Sequence, residues 1–186
     1  MPTRVPGMPQ YAAFLRGVNL GPHRRVSSAD LRGAFEAMGF EDVGTFRSSG
    51  NVVFGGARGP VAKLKTRVEQ GLLEAVGLEI LVFLRTADEL RAIAKFEPFP
   101  PKLVAASKGK LQVLVLPKQP AAATRKEVLS LANDDDGLAF GERELYWLPS
   151  GGTLESTLDR ARIEKLVGPT TSRTMGTMEQ LAAKFF

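Results

Sequence analysis

Apolar positions along the chain alternate between short continuous runs and longer stretches at helical spacing, and the alternation predicts an ordered series of strands and helices. Residues 11–18 form a β-like apolar run, followed over 19–26 by a loop of glycine, proline and arginine. Leu31, Ala34, Phe35 and Met38 then share one stripe at a 3.6-residue period, which predicts a helix that begins at Ser27 or Ser28 and stops at Gly39. Ser27 and Asp30 have the spacing of a capping box, in which each side chain satisfies a backbone donor of the other. Strands predicted over 43–47 and 51–54 flank Ser48-Ser49-Gly50, a hairpin signal because glycine supplies the positive φ of a tight turn. Val61, Leu64, Val68, Leu72 and Val76 mark a second helix, ended by Gly77. A strand over 79–85 follows, and Thr86-Ala87-Asp88-Glu89 opens a third helix carrying Leu90, Ile93 and Ala94.

The segment Phe96-Glu97-Pro98-Phe99-Pro100-Pro101 interrupts this order, because its prolines remove backbone donors and fix φ, excluding regular helix and central strand. Beyond it the order recurs: strand 110–116, helix 121–131, strands 138–140 and 145–148, helix 158–167 and strand 170–173. A last helix over 178–185 is expected to open on a second box, Thr177-Met178-Glu179-Gln180, matching Thr86-Ala87-Asp88-Glu89 at a constant offset. Each half reads β-α-β-β-α-β plus one helix. The predicted fold class is therefore α+β, two tandem ferredoxin-like halves, each followed by an extra helix, packed as one compact unit. The expected boundaries are a flexible tail over 1–10, a first half over 11–96, a proline-rich junction over 97–109 and a second half over 110–186.

Composition narrows the class further. The chain has 186 residues, 44% hydrophobic and 24% charged, which supports a substantial core and excludes fibrous and disordered classes. No apolar run nears the roughly 20 residues of a membrane span, and residues 1–10 lack the apolar stretch of a signal peptide, so a cytoplasmic protein without membrane association is expected. Cysteine is absent, which excludes disulfides, thiol catalysis and thiolate metal sites. The net charge of +5 is unevenly placed: Arg47, Arg58, Lys63, Lys65 and Arg67 lie between Asp42 and Glu69 with no acid among them. A second acid-free stretch lies between Glu97 and Glu127. Such runs serve either as solvated faces or as a surface for anions.

Several segments in combination resemble a known family. These are the strand and turn over 11–21, the helix end Ala37-Met38-Gly39-Phe40, the hairpin Arg47-Ser48-Ser49-Gly50-Asn51-Val52-Val53-Phe54, and Thr171-Ser172-Arg173-Thr174-Met175-Gly176-Thr177-Met178-Glu179-Gln180-Leu181. Together they resemble the bacterial domain-of-unknown-function family 1697 over nearly the whole chain. The resemblance implies an α+β fold of two similar halves and carries no activity with it. Where that family has an aromatic-containing stretch after the arginine, this chain has Thr174-Met175-Gly176-Thr177, so no aromatic stack is expected there.

Candidate chemistry gathers at two turns. In Leu15-Arg16-Gly17-Val18-Asn19 and in Phe46-Arg47-Ser48-Ser49-Gly50-Asn51 an arginine leads into small donor-bearing residues. A ferredoxin-like order would bring the two turns together. A guanidinium fork fits phosphate or carboxylate bidentately, so Arg16, Asn19, Arg47, Ser48, Ser49 and Asn51 are candidate anion-binding residues, with Arg173 as a counterpart in the second half. The same residues equally suit turn building and internal pairing. His23 is the single histidine, no nucleophile elbow or phosphate loop is present, and Asp134-Asp135-Asp136-Gly137 reads as a solvated turn rather than a cation loop. No metal and no cofactor are implied. The expected function is a binding module for an anionic ligand, a small phosphorylated molecule or a nucleic acid. An enzyme acting on a small anionic substrate and a protein-interaction domain are the alternatives.

Overall fold

A computed structural model describes residues 11–18, 25–48 and 50–186. The tail over 1–10, His23 and the candidate site residues Asn19 and Ser49 lie outside the described residues. By internal contacts the chain divides into a first unit, Met1–Arg91 with Lys184–Phe186, and a second unit, Ala92–Ala183.

The first unit contains β1 (Tyr11–Leu15), α1 (Ser28–Ala37), β2 (Glu41–Thr45), β3 (Asn51–Gly55), α2 (Val61–Val76) and β4 (Val82–Thr86), followed by α3 (Ala87–Lys95). Its antiparallel sheet has the order β2-β3-β1-β4, the arrangement of a ferredoxin-like unit. Ser27 caps α1 as its spacing predicts: its Oγ accepts from the Asp30 N–H at 3.0 Å, and its own N–H donates to Asp30 Oδ2. Helices α1 and α2 cover one sheet face, where Tyr11, Ala13, Leu15, Val52, Phe54, Val82 and Leu84 meet Phe35, Leu64, Val68 and Leu72. Phe54 is the aromatic centre of this core, with ring centroids of Phe40 and Phe35 at 4.7 and 5.1 Å. The alternate strand positions, Ala12, Phe14, Val53, Phe83 and Arg85, are buried as well. Burial on both faces is why β1 reads as an unbroken apolar run and not as a two-residue alternation.

After α3 the chain turns through its prolines and forms α4 (Pro101–Ala106), a helix that the sequence reading did not anticipate. Pro101 opens it, and a proline is tolerated there because its missing N–H belongs to a group with no intrahelical partner. The chain continues with β5 (Gln112–Val115), α5 (Ala122–Leu129), β6 (Asp136–Phe140), β7 (Glu144–Pro149), α6 (Arg160–Val167), β8 (Thr171–Thr174) and α7 (Met175–Phe185), which belong to the second unit except for the last two residues of α7, Lys184 and Phe185, which belong to the first. The second unit's sheet order, β6-β7-β5-β8, repeats the first topology strand for strand. Its core joins Leu114, Leu145 and Trp147 of the sheet to Val128, Ile163 and Val167 of the helices.

Helix α7 begins three residues earlier than its expected box. Thr174 Oγ1 accepts from the Thr177 N–H at 3.2 Å, so Thr174 is the capping residue and Thr177 lies inside the helix. Register gives the same correspondence: Thr86 lies opposite Tyr11 and Thr174 opposite Gln112, each at the close of a fourth strand. Among the described residues no helix is long and apolar enough to cross a membrane.

Candidate anion-binding surface at the first hairpin

Two backbone bonds fix the first turn where β1 ends. The Leu15 N–H donates to Gly50 O at 2.8 Å, and the Arg16 N–H donates to Leu81 O at 2.9 Å. Gly17 then turns the chain at φ +74°, and Val18, only 4% exposed, packs back against Gly50. The Arg16 turn thus lies directly beside the β2–β3 hairpin.

The hairpin is closed by a reciprocal pair: the Phe46 N–H donates to Asn51 O at 3.0 Å and Asn51 Nδ2 donates to Phe46 O at 2.9 Å. Asn51 is 1% exposed, so its carboxamide holds the turn and is not presented to solvent. Arg47 and Ser48 stand exposed at the tip, Arg47 at the left-handed φ of +58°. The Arg47 guanidinium sits over the Phe46 ring, 5.4 Å from its centroid. Lys184 shares that ring, its Nζ 5.6 Å from the Phe46 centroid and 5.1 Å from that of Phe185. The two phenylalanines meet edge to face at 6.4 Å.

Gly44 makes this arrangement possible. A Cβ there would lie 2.8 Å from Phe185 Cε1 and 3.0 Å from Val53 Cγ2, so only a residue without a side chain leaves room for Phe185 on the sheet. Arg91 holds the next residue, donating from Nε and Nη2 to Phe186 O at 3.2 and 2.6 Å. Arg16, Arg47 and Ser48 are therefore gathered in one unit together with Lys184, Phe46 and Phe185. Sequence reasoning missed the last three. Lys184 and Phe185 are remote from the hairpin along the chain, and the one local signal, the absent side chain at Gly44, reads equally well as a weak strand position.

Arg173 belongs to β8 in the second unit and is the counterpart of Arg85, not of Arg16. Arg85 lies opposite Ala12 and Arg173 opposite Val113, each one residue before the strand-closing threonine. Both guanidinium groups are buried, at 2% and 8% exposure. Arg173 Nη1 donates to Thr171 Oγ1 at 2.9 Å and Ser172 O at 2.7 Å, and burial lowers its pKa from the ordinary arginine value to about 10.

Other basic residues are engaged within the protein. Arg67 donates to Met38 O and lies over the Phe40 ring at 4.6 Å, while Lys65 pairs with Glu69. The acid-free stretch after Asp42 is therefore partly structural, and Arg47 at its exposed start is the member that joins the hairpin cluster. Asp136 is also not part of a solvated turn. It opens β6 at 1% exposure and accepts from Trp147 Nε1 at 2.7 Å and from Ser156 Oγ at 2.8 Å. Among the described residues no three His, Asp or Glu side chains gather as metal ligands would.

Comparison with known proteins agrees with this fold. A solved structure, described as that of conserved bacterial protein SP0830 from Streptococcus pneumoniae, is similar to the chain with a TM-score of 0.70 at 20% sequence identity, covering 95% of this chain and 98% of the other. No match was found among curated proteins. Residues 8–146 of the 186 match the family model described as Protein of unknown function (DUF1697), and the chain belongs to that family.

Proposed function

We propose that the protein is a binding module for an anionic ligand, a phosphorylated molecule or a nucleic acid, held at the first hairpin. The observation that carries this reading is the sharing of the Phe46 ring by two exposed cations, Arg47 and Lys184, beside the Arg16 turn. A cation resting on an aromatic face keeps its charge while losing some of its freedom, so less ordering remains to be done when an anion arrives. Arg47 supplies the planar fork that suits phosphate, and Lys184 adds a point charge. Phe46 and Phe185, both half-buried, add apolar edge to the same surface.

The test is titration of fluorescent single-stranded oligonucleotides and, separately, of inorganic phosphate, across a salt series. A polyanion should bind with an affinity that falls steeply with salt, and losing one phosphate contact should reduce the logarithmic slope by about 0.7 for a single strand. Arg47→Ala combined with Lys184→Ala should weaken binding of whichever anion binds far more than it lowers the melting temperature, because both side chains are exposed and an exposed cation–π contact contributes only about 0.5–1 kcal/mol. No binding of either probe at low salt, or undiminished binding by the double variant, would overturn the reading.

A further inference from the structure

The second unit contains a cleft of different character, about 570 Å³ in volume, between the end of α3, the proline turn, α4 and the first turns of α7. The prolines create it. Pro98, Pro100 and Pro101 prevent α3 from continuing, and α4 restarts only at Pro101. Leu111 and Met175, each 8% exposed, and half-buried Val104 line it on its apolar side. Phe96 and Phe99 add aromatic walls. Phe96 is 42% exposed yet braced against Tyr146, with ring centroids 5.0 Å apart. Phe99 is set close over Gly137, where a Cβ would lie 3.1 Å from its ring.

Three charged residues line the cleft: Lys95, Glu97 and Glu179. All three are exposed, and none is in an ion pair among the described residues. One lysine against two glutamates leaves one excess negative charge, in a chain whose net charge is +5. A volume in the range of about 300–1,000 Å³, mostly apolar walls and a few charged groups at the edge are the attributes of a small-molecule site.

We infer that this cleft binds a small hydrophobic cation, a ligand with an aromatic or branched apolar body and a single ammonium group. The apolar body is accommodated by Val104, Leu111 and Met175. The ammonium group is drawn to Glu97 and Glu179 and to the Phe96 face, whose π-electrons favour a cation over a neutral or anionic head group. An anion of the same shape would meet two carboxylates. This site is independent of the hairpin surface and takes a ligand of opposite charge, so either can fail without the other.

The experiment compares three probes of one shape on the full chain by NMR: phenethylammonium, phenethyl alcohol and phenylacetate, following the methyl signals of Val104, Leu111 and Met175. Phenethylammonium should shift those signals and bind about threefold to tenfold more tightly than the alcohol, with phenylacetate weakest. In the Glu97→Gln, Glu179→Gln double variant the ammonium should fall to the affinity of the alcohol. Phe96→Leu should weaken the ammonium more than the alcohol. The inference is overturned if the alcohol matches the ammonium in the unaltered protein, if phenylacetate binds tightest, or if the ammonium leaves all three methyl groups unmoved. The comparison within the unaltered protein needs no variant to fold.

Discussion

Replacing Gly50 with alanine tests the physical claim that the two N-terminal turns are wedged together. Gly50 sits at φ +73°, and an alanine forced into the left-handed region costs about 1–2 kcal/mol relative to its preferred conformations. Its Cβ would in addition lie 2.3 Å from Val18 Cγ2 and 2.9 Å from Leu15 Cβ. Val18 and Leu15 are 4% and 1% exposed, so neither neighbour can swing into solvent, and such overpacking costs about 1–3 kcal/mol. Gly50→Ala should therefore lose about 2–5 kcal/mol in all. Gly17→Ala is the matched control: its φ is +74°, but a Cβ there meets nothing within 4 Å among the described residues. It should lose only the conformational part, about 1–2 kcal/mol. Both substitutions restrict the unfolded chain alike, so that contribution cancels in the comparison. Urea unfolding followed by far-UV circular dichroism reads both. Equal losses for the two variants would refute the wedge and with it the placement of Val18 against the hairpin.

Two further outcomes are expected in the second unit. Trp147→Phe removes a donor from Asp136, a carboxylate at 1% exposure whose Oδ2 has no partner among the described residues. The loss should be about 2–4 kcal/mol, from the lost hydrogen bond to a buried partner and the lost ring volume, and a loss below about 1 kcal/mol would contradict it. Trp147 is the sole tryptophan, so circular dichroism must replace fluorescence as the probe. For Arg173 the folded pKa, about 10, lies below the unfolded value, so the unfolded chain binds more protons above that pH. Stability of the unaltered protein relative to Arg173→Met should stay flat between about pH 6 and about pH 9 and rise as pH increases through about 10; a difference that falls there would have the wrong sign.

Much of the fold was legible because the signals that form it are local. Val61 to Val76 carries its apolar stripe at helical spacing and is helix over that span. Ser27 with Asp30, and Thr86 with Glu89, lie three residues apart and form the reciprocal bonds their spacing predicts. Errors arose where two local readings competed. Thr177 has a good box pattern, but β8 pairs with β5 up to Thr174, and that pairing starts α7 at once. The prolines after α3 read as a break, whereas Pro101 is also a sound first residue for a helix.

The candidate surface divides along the same line. Sequence by itself determined the order of strands and helices in both halves, and hence that Arg16 and the Arg47 hairpin would be neighbours, because strand order follows from the repeated β-α-β-β-α-β pattern. Tertiary structure alone decided what each side chain does. Asn51 is enclosed and holds its turn, Arg173 is buried at the strand position equivalent to that of Arg85, Asp136 is buried and hydrogen-bonded to Trp147, and Phe185 brings Lys184 onto the Phe46 ring through the space at Gly44. Local periodicity encodes which segments form strands and helices. Burial and contact between residues distant along the chain depend on register and on which atoms come together, and no local pattern carries that information.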